Sequence, residues 1–257
     1  MTMRDHASTQ PPEDGPAFYA QPGFLHSTRV RQWWTVLHPP YTALHLSLVT
    51  IGACLSGPVN AVKLVATLGA FFLAVGVGAH ALDEVHGRPL GTTIPTTQLV
   101  AAALVGLGGA VTLGVVGMFV VNPYLGVFIV AGVILALGYN LELFGGRLHT
   151  PLVLILAWGA FPILTAYFAQ HDALNIAAVV AAVFGALITK IQQILSTPAR
   201  DLRRRVRSVE GVLVRHDGTS SPITRDSLLR PLEHGLKVLC WSGVALALSL
   251  ALLRFHG

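Results

Sequence analysis

Long apolar runs recur along the chain, at about 41–57, 62–82, 97–120, 124–141, 151–169, 173–191 and 236–253. Each is close to the roughly 17–25 residues a helix needs to cross about 30 Å of hydrocarbon. Within the runs, apolar residues occupy every side of the helical wheel rather than one stripe, as in a helix buried all round or set in lipid. A chain of 257 residues has too little polar surface to hide so many helices of this kind from water. The pattern therefore predicts an all-α, polytopic integral membrane bundle of about seven transmembrane helices. The boundary between the third and fourth runs rests on "VNP" at 121–123 alone.

Composition agrees with the pattern. Hydrophobic residues make up 53% and charged residues 11%, against about a quarter charged in soluble domains, and mean hydropathy is +0.64. Residues 1–23, polar and Pro-rich, lack the apolar core of a secretory signal and read as a disordered cytoplasmic tail ahead of a transmembrane domain over 24–257. In "FLHSTRVRQWWTVLHPP" (24–40) arginines alternate with Trp33 and Trp34, the composition of a helix lying in the membrane interface. Cys54 and Cys240 both fall inside apolar runs, so no disulfide framework is implied.

Charge then orients the bundle. Arg88 and Arg147 fall in alternate loops, and Arg200, Arg203, Arg204, Arg205, Arg207, Arg215, Arg225 and Arg230 crowd a long loop over about 192–235. The other loops hold little beyond Lys63 and Arg254. The positive-inside rule places the N-terminus and the basic loops in the cytoplasm and the C-terminus outside, in the cell membrane. Such a basic rim also suits anionic membrane lipids. Within the long loop, "VEGVLVRHDGTSSPI" (209–223) reads as a small hairpin turning at Asp217-Gly218.

The chemistry concentrates where the second run ends, in "AHALDEVHGRPL" (79–90). His80, Asp83 and Glu84 stand at i, i+3 and i+4, on one face of a helix. Ionisable groups in a span turn toward the bundle interior or a wet cavity. Two carboxylates and an imidazole there suit a divalent cation, Mg²⁺ above all, held by Asp83 and Glu84. An equally ordinary reading is a helix end whose acids meet water or Arg88. Lys190, near the end of an apolar run, either snorkels or pairs with Glu142, Asp83, Glu84 or a ligand. Glu142 is a base, a metal ligand or an interfacial residue. His45 reads as a hydrogen-bonded structural histidine, Trp158 and Tyr167 as packing and belt residues, and Pro162 as a kink. No nucleotide loop, nucleophile elbow, zinc spacing or nucleic-acid motif occurs.

The same residues carry a resemblance. An interfacial segment, a first span opening "HPPYTALHLSLVTIGACLSG", and a second span running into an acidic motif followed by Arg88-Pro89 resemble the UbiA superfamily of intramembrane prenyltransferases. "LGYNLELFGGRLHTP" (137–151) is similar to that family's Tyr-rich loop. The resemblance implies a UbiA-like bundle binding an isoprenyl diphosphate through Mg²⁺ on the cytoplasmic side. It implies Asp83, Glu84 and His80 in catalysis, and Arg88 with Tyr139, Asn140 and Arg147 of the Tyr-rich loop on the substrate. Beside the resemblance, Glu142 is a further catalytic candidate, and charge adds Lys190 and Arg200 as cations for a diphosphate. The later aspartates of the first motif are missing, and Gln192, Gln193 and Ser196 stand where the second acidic motif belongs. The expected function is a prenyltransferase-type enzyme acting on an isoprenoid or lipid diphosphate. The alternatives are a catalytically degenerate scaffold binding lipid or a partner through its basic face, and a metal-dependent membrane enzyme of another reaction type.

Overall fold

The computed structural model describes residues 15–20, 22–55 and 57–256. In chain order it contains α1 (Thr28–Val36), α2 (Pro39–Cys54), α3 (Ala61–Val85), α4 (Thr96–Val120), α5 (Leu125–Asn140), α6 (Pro151–His171) and α7 (Ile176–Arg204). A hairpin of β1 (Gly211–Val214) and β2 (Ser220–Ile223) follows, then α8 (Arg225–His256). Five of the helices, α3, α4, α6, α7 and α8, are long and apolar enough to cross a membrane, as in an integral membrane protein. Their outward sides are apolar: Leu104, Phe119 and Ile176 are 69%, 87% and 77% exposed, positions that suit lipid rather than water. α2 and α5 have 16 residues each, roughly 24 Å at 1.5 Å per residue.

Local sequence starts and stops these elements. Pro39 and Pro40 open α2, where missing N–H groups cost nothing. Asn60, Thr150 and Asn175 cap α3, α6 and α7, accepting from the backbone N–H groups of Lys63, Val153 and Ala178. "VNP" does divide α4 from α5, with Asn122 Oδ1 accepting from the Tyr124 N–H at 2.9 Å. The hairpin turns where the Asp-Gly pair stands: Asp217 Oδ1 accepts from the N–H and hydroxyl of Thr219, and Gly218 takes φ 84°.

α2 is the central helix, packed chiefly against α6 and α8. α3 lies on α4, and α6 on α7, where the Gly159 and Gly185 backbones approach so closely that a Cβ on either would strike the other's carbonyl. The two ends of the bundle differ. At one, Arg254 donates to the carbonyls of Cys54 and Leu55, and Asn60 and Gln170 exchange hydrogen bonds. At the other, the basic end, lie α1, the 86–95 loop, the 141–149 turn and the junction of α7 with α8.

Two boundaries differ from those the pattern suggests. The loop over 192–235 shrinks to 205–224, because α7 and α8 continue past their apolar runs and zip together through Leu195, Ala199, Leu202, Leu229, Leu232 and Leu236. Helical spacing hides this seam among charges. Glu233 takes Arg203 in a buried, two-pronged ion pair in the same layer. Arg203 is thus a structural residue rather than part of a free basic face. Of the expected tail, 1–14 and 21 lie outside the described residues, whereas Phe18 and Tyr19 pack into the basic end.

Candidate functional site

His80 follows an eight-residue π-helical stretch of α3, Phe72–Ala79. A widened turn of this kind rotates the following face and recurs at functional sites. It brings the His80 ring parallel to that of His38, with centroids 4.4 Å apart and planes at 21°. His38 caps α2 in the left-handed region, φ 47°. Its Nδ1 lies 2.7 Å from the Val36 carbonyl, which can only accept, so Nδ1 carries the proton. Burial lowers the His38 pKa to about 4, leaving the ring neutral at physiological pH. His80 Nδ1 is buried without a hydrogen bond of good geometry, although the carbonyls of Gly76 and Leu37 flank the ring.

Around this pair gather groups from four further segments: residues 15–20, α5, the 141–149 turn and α7. Tyr19 stands 5.5 Å from His38 and 5.6 Å from Tyr41, ring to ring. Burial pushes the Tyr19 phenol well above its ordinary pKa, reinforced by Tyr41 and opposed by Arg204 and Arg200, so it remains a donor. Asp83 is half-buried within electrostatic reach of Glu84, Arg200, Arg204 and His149. Tyr139 feels the charges of Asp83 and Arg200 and stacks on His149 at 4.4 Å. Asp83, Arg200 and Tyr139 therefore lie within one another's electrostatic reach, and His80 joins them through His38, which lies in the field of Arg200 and Arg204.

Other candidates are placed elsewhere or already engaged. Glu84 is fully buried, and its carboxylate accepts from Leu90 N at 2.9 Å, Thr92 N at 2.9 Å and the Thr92 hydroxyl at 2.8 Å. Arg88 reaches the Ile94 carbonyl at 2.6 Å, the Thr92 carbonyl and the Thr96 hydroxyl. Both residues fold the 86–95 loop. Asn140 is buried and donates to the Ala136 carbonyl one turn back. Glu142 lies on the rim, 3.9 Å from His149 Nδ1 and 4.0 Å from His86 Nε2. Arg147 and Lys190 are exposed.

An apolar cavity of about 180 Å³ lies between α3, α4, α5 and α6. Phe71, Val75, Leu107, Ile129, Trp158 and Phe161 are among its walls, with Lys63 at the end remote from the basic cluster. Trp158 links the two regions. It sits in the π-helical turn Leu156–Ala160 of α6, its carbonyl meets His45 Nδ1 at 3.1 Å, and its ring touches Tyr139 at 5.0 Å. His45 thus is hydrogen-bonded within the core, while Trp158 faces the cavity as well as packing.

The donors do not fit the two-carboxylate Mg²⁺ clamp that the resemblance implies. Both oxygens of Glu84 are taken by loop donors, and among the described residues no three His, Cys, Asp or Glu side chains are gathered closely enough to hold a metal ion. Residues that sequence reasoning missed are Tyr19, His38 and Tyr41, whereas Arg204 was legible only as one member of the basic run. The only signal among the three was His38 beside the paired prolines; Tyr19 sits in a polar tail and Tyr41 in an apolar run. No family model, curated protein or solved structure matches this chain.

Proposed function

We propose that this is a seven-helix, UbiA-like membrane protein that binds an isoprenoid or related lipid diphosphate, with the basic end facing the cytoplasm. One observation carries the reading: an apolar cavity adjoins, through Trp158 and Tyr139, a cluster holding Arg200, Arg204, Asp83 and two stacked histidines. That is the shape of an amphiphile. A cavity of about 150 Å³ is enough to hold benzene, so this one takes part of an isoprenoid chain. α5 supports the helix count, because it returns the chain from the Val121–Tyr124 turn to the basic end, where Tyr139 comes within reach of Asp83.

The chemistry follows from charge. A diphosphate leaving group departs with the electron pair of the C–O bond, and cations beside it stabilise that charge as it develops. Arg200 and Arg204 are the groups for this role. An allylic cation left behind would face apolar and aromatic walls that offer water no hydrogen-bond partners. Asp83, with no partner inside the 86–95 loop, is placed to accept the proton an acceptor loses. No step is routed through a metal.

The test is thermal unfolding of the detergent-purified protein with an isoprenyl diphosphate, inorganic pyrophosphate or the matching alcohol, each with and without Mg²⁺. The diphosphate should raise the unfolding temperature most. Arg204→Gln should weaken its binding about tenfold, the scale of one charge-assisted contact. No stabilisation by donors of several chain lengths overturns the reading. Binding without release of pyrophosphate favours the non-catalytic alternative, which the capture of Glu84 by the loop also supports.

A further inference from the structure

Lys63 stands in the first turn of α3, three residues after the Asn60 cap. A cation there opposes the helix dipole, and no acid in that turn offsets it. Its ammonium reaches the Gln170 carbonyl at 3.4 Å, and among the described residues no carboxylate pairs with it. An ammonium has three donors, so one such bond leaves it able to bind an anion. Lys63 is also a wall of the apolar cavity, at the end remote from the basic cluster. From Lys63, the residues Thr67, Ala70 and Ala74 continue that wall at helical steps, one face of α3. This wall runs roughly 15 Å at 1.5 Å per residue or slightly less. A volume of about 180 Å³ drawn out over such a length is a slot for one hydrocarbon chain and not two. Trp158 lines the far end, next to Tyr139.

We propose that Lys63 makes this end a cationic mouth for a fatty-acid carboxylate from the leaflet remote from the basic end. The carboxylate sits on the ammonium, and the alkyl chain fills the slot with its tip toward Trp158. One ammonium and one chain's width suit a singly charged, single-chain amphiphile, whereas a phospholipid brings two chains. A fatty acid bound this way competes with an isoprenoid for the same walls. This uses the end of the cavity that the lipid-diphosphate reading leaves aside, and does not depend on that reading.

Bromine quenches tryptophan on close contact, so Trp158 reports which way the chain points. The detergent-purified protein and its Trp158→Phe variant are titrated at alkaline pH with dodecanoate brominated at carbon 12 or at carbon 2. The fluorescence lost only where Trp158 is present is followed. The 12-bromo acid should quench that component saturably, and the 2-bromo acid far less. Lys63→Gln should weaken binding about tenfold, the scale of one charge-assisted contact. With the unaltered protein, 12-bromododecanol, which lacks the charge, should bind about tenfold more weakly than the acid. Absence of saturable Trp158 quenching by either acid overturns the proposal, and so does unchanged affinity in Lys63→Gln. Stronger quenching by the 2-bromo acid also overturns it, because the head would then lie at the basic end. Should either variant fail to fold, equal affinities of acid and alcohol for the unaltered protein overturn it alone. No diphosphate enters the assay, so its failure leaves the diphosphate reading standing, and the reverse holds too.

Discussion

Adjacent acids in α3 have opposite fates. Glu84 turns away from the cluster and gathers three donors from the loop it precedes, whereas Asp83 points among arginines and a histidine. A buried carboxylate satisfied by backbone N–H groups is a structural element, because removing its charge leaves donors facing one another. Glu84→Gln should therefore destabilise the protein by about 1–3 kcal/mol, the worth of charge-assisted hydrogen bonds. Asp83→Asn should change stability far less. Chemical or thermal unfolding of the two variants in one detergent distinguishes these roles, and equal losses would show that Glu84 is not the loop's organiser.

Between elements, the decisive contact is the layer where α7 and α8 leave the apolar zone. Arg203 and Glu233 are 3% and 9% exposed at the side chain and are joined at two points. Breaking such a pair strands a charge, at a cost of about 3–5 kcal/mol, while replacing both members with apolar residues of similar size is far less harmful. Arg203→Met alone should markedly lower the unfolding temperature, and Arg203→Met with Glu233→Leu should recover most of it. A double variant no better than the single would locate the stability of this layer in the leucine seam instead. Neutralising the whole arginine run is consequently a poor probe of partner binding, since part of its effect is structural.

For the whole molecule, the paths of α4, α5, α6 and α7 fix which loops share a side. Asp83 ends α3 and Arg200 stands near the end of α7, yet each lies in the other's field, so the four intervening helices must run out, back, out and back. Cysteine labelling in cells tests the proposed orientation. Tyr124→Cys, in the exposed α4–α5 turn, should react from outside intact cells. Ser220→Cys, on the exposed hairpin, should react only after permeabilisation. Reaction of both from the same side would contradict the antiparallel path, and reversal of the two would contradict the orientation.

The positions of the helices were legible in the sequence because lipid and water impose opposite requirements on every residue of a crossing, and the apolar runs record that. The "VNP" turn and the Asp-Gly hairpin were legible for a similar reason: a few residues dictate their own backbone. Much of the site was not. Whether Glu84 or Asp83 faces the cluster depends on a loop that closes only in three dimensions, and the π-helical turns that swing His80 and Trp158 into place leave no mark in apolar sequence. Tyr19 belongs to a stretch with the composition of a tail, and its partners lie on α2 and α7. Composition and periodicity are local and survive in a string of letters. The meeting of Tyr19, His38, His80 and Arg204 is a property of packing between distant segments, and only the folded chain decides it.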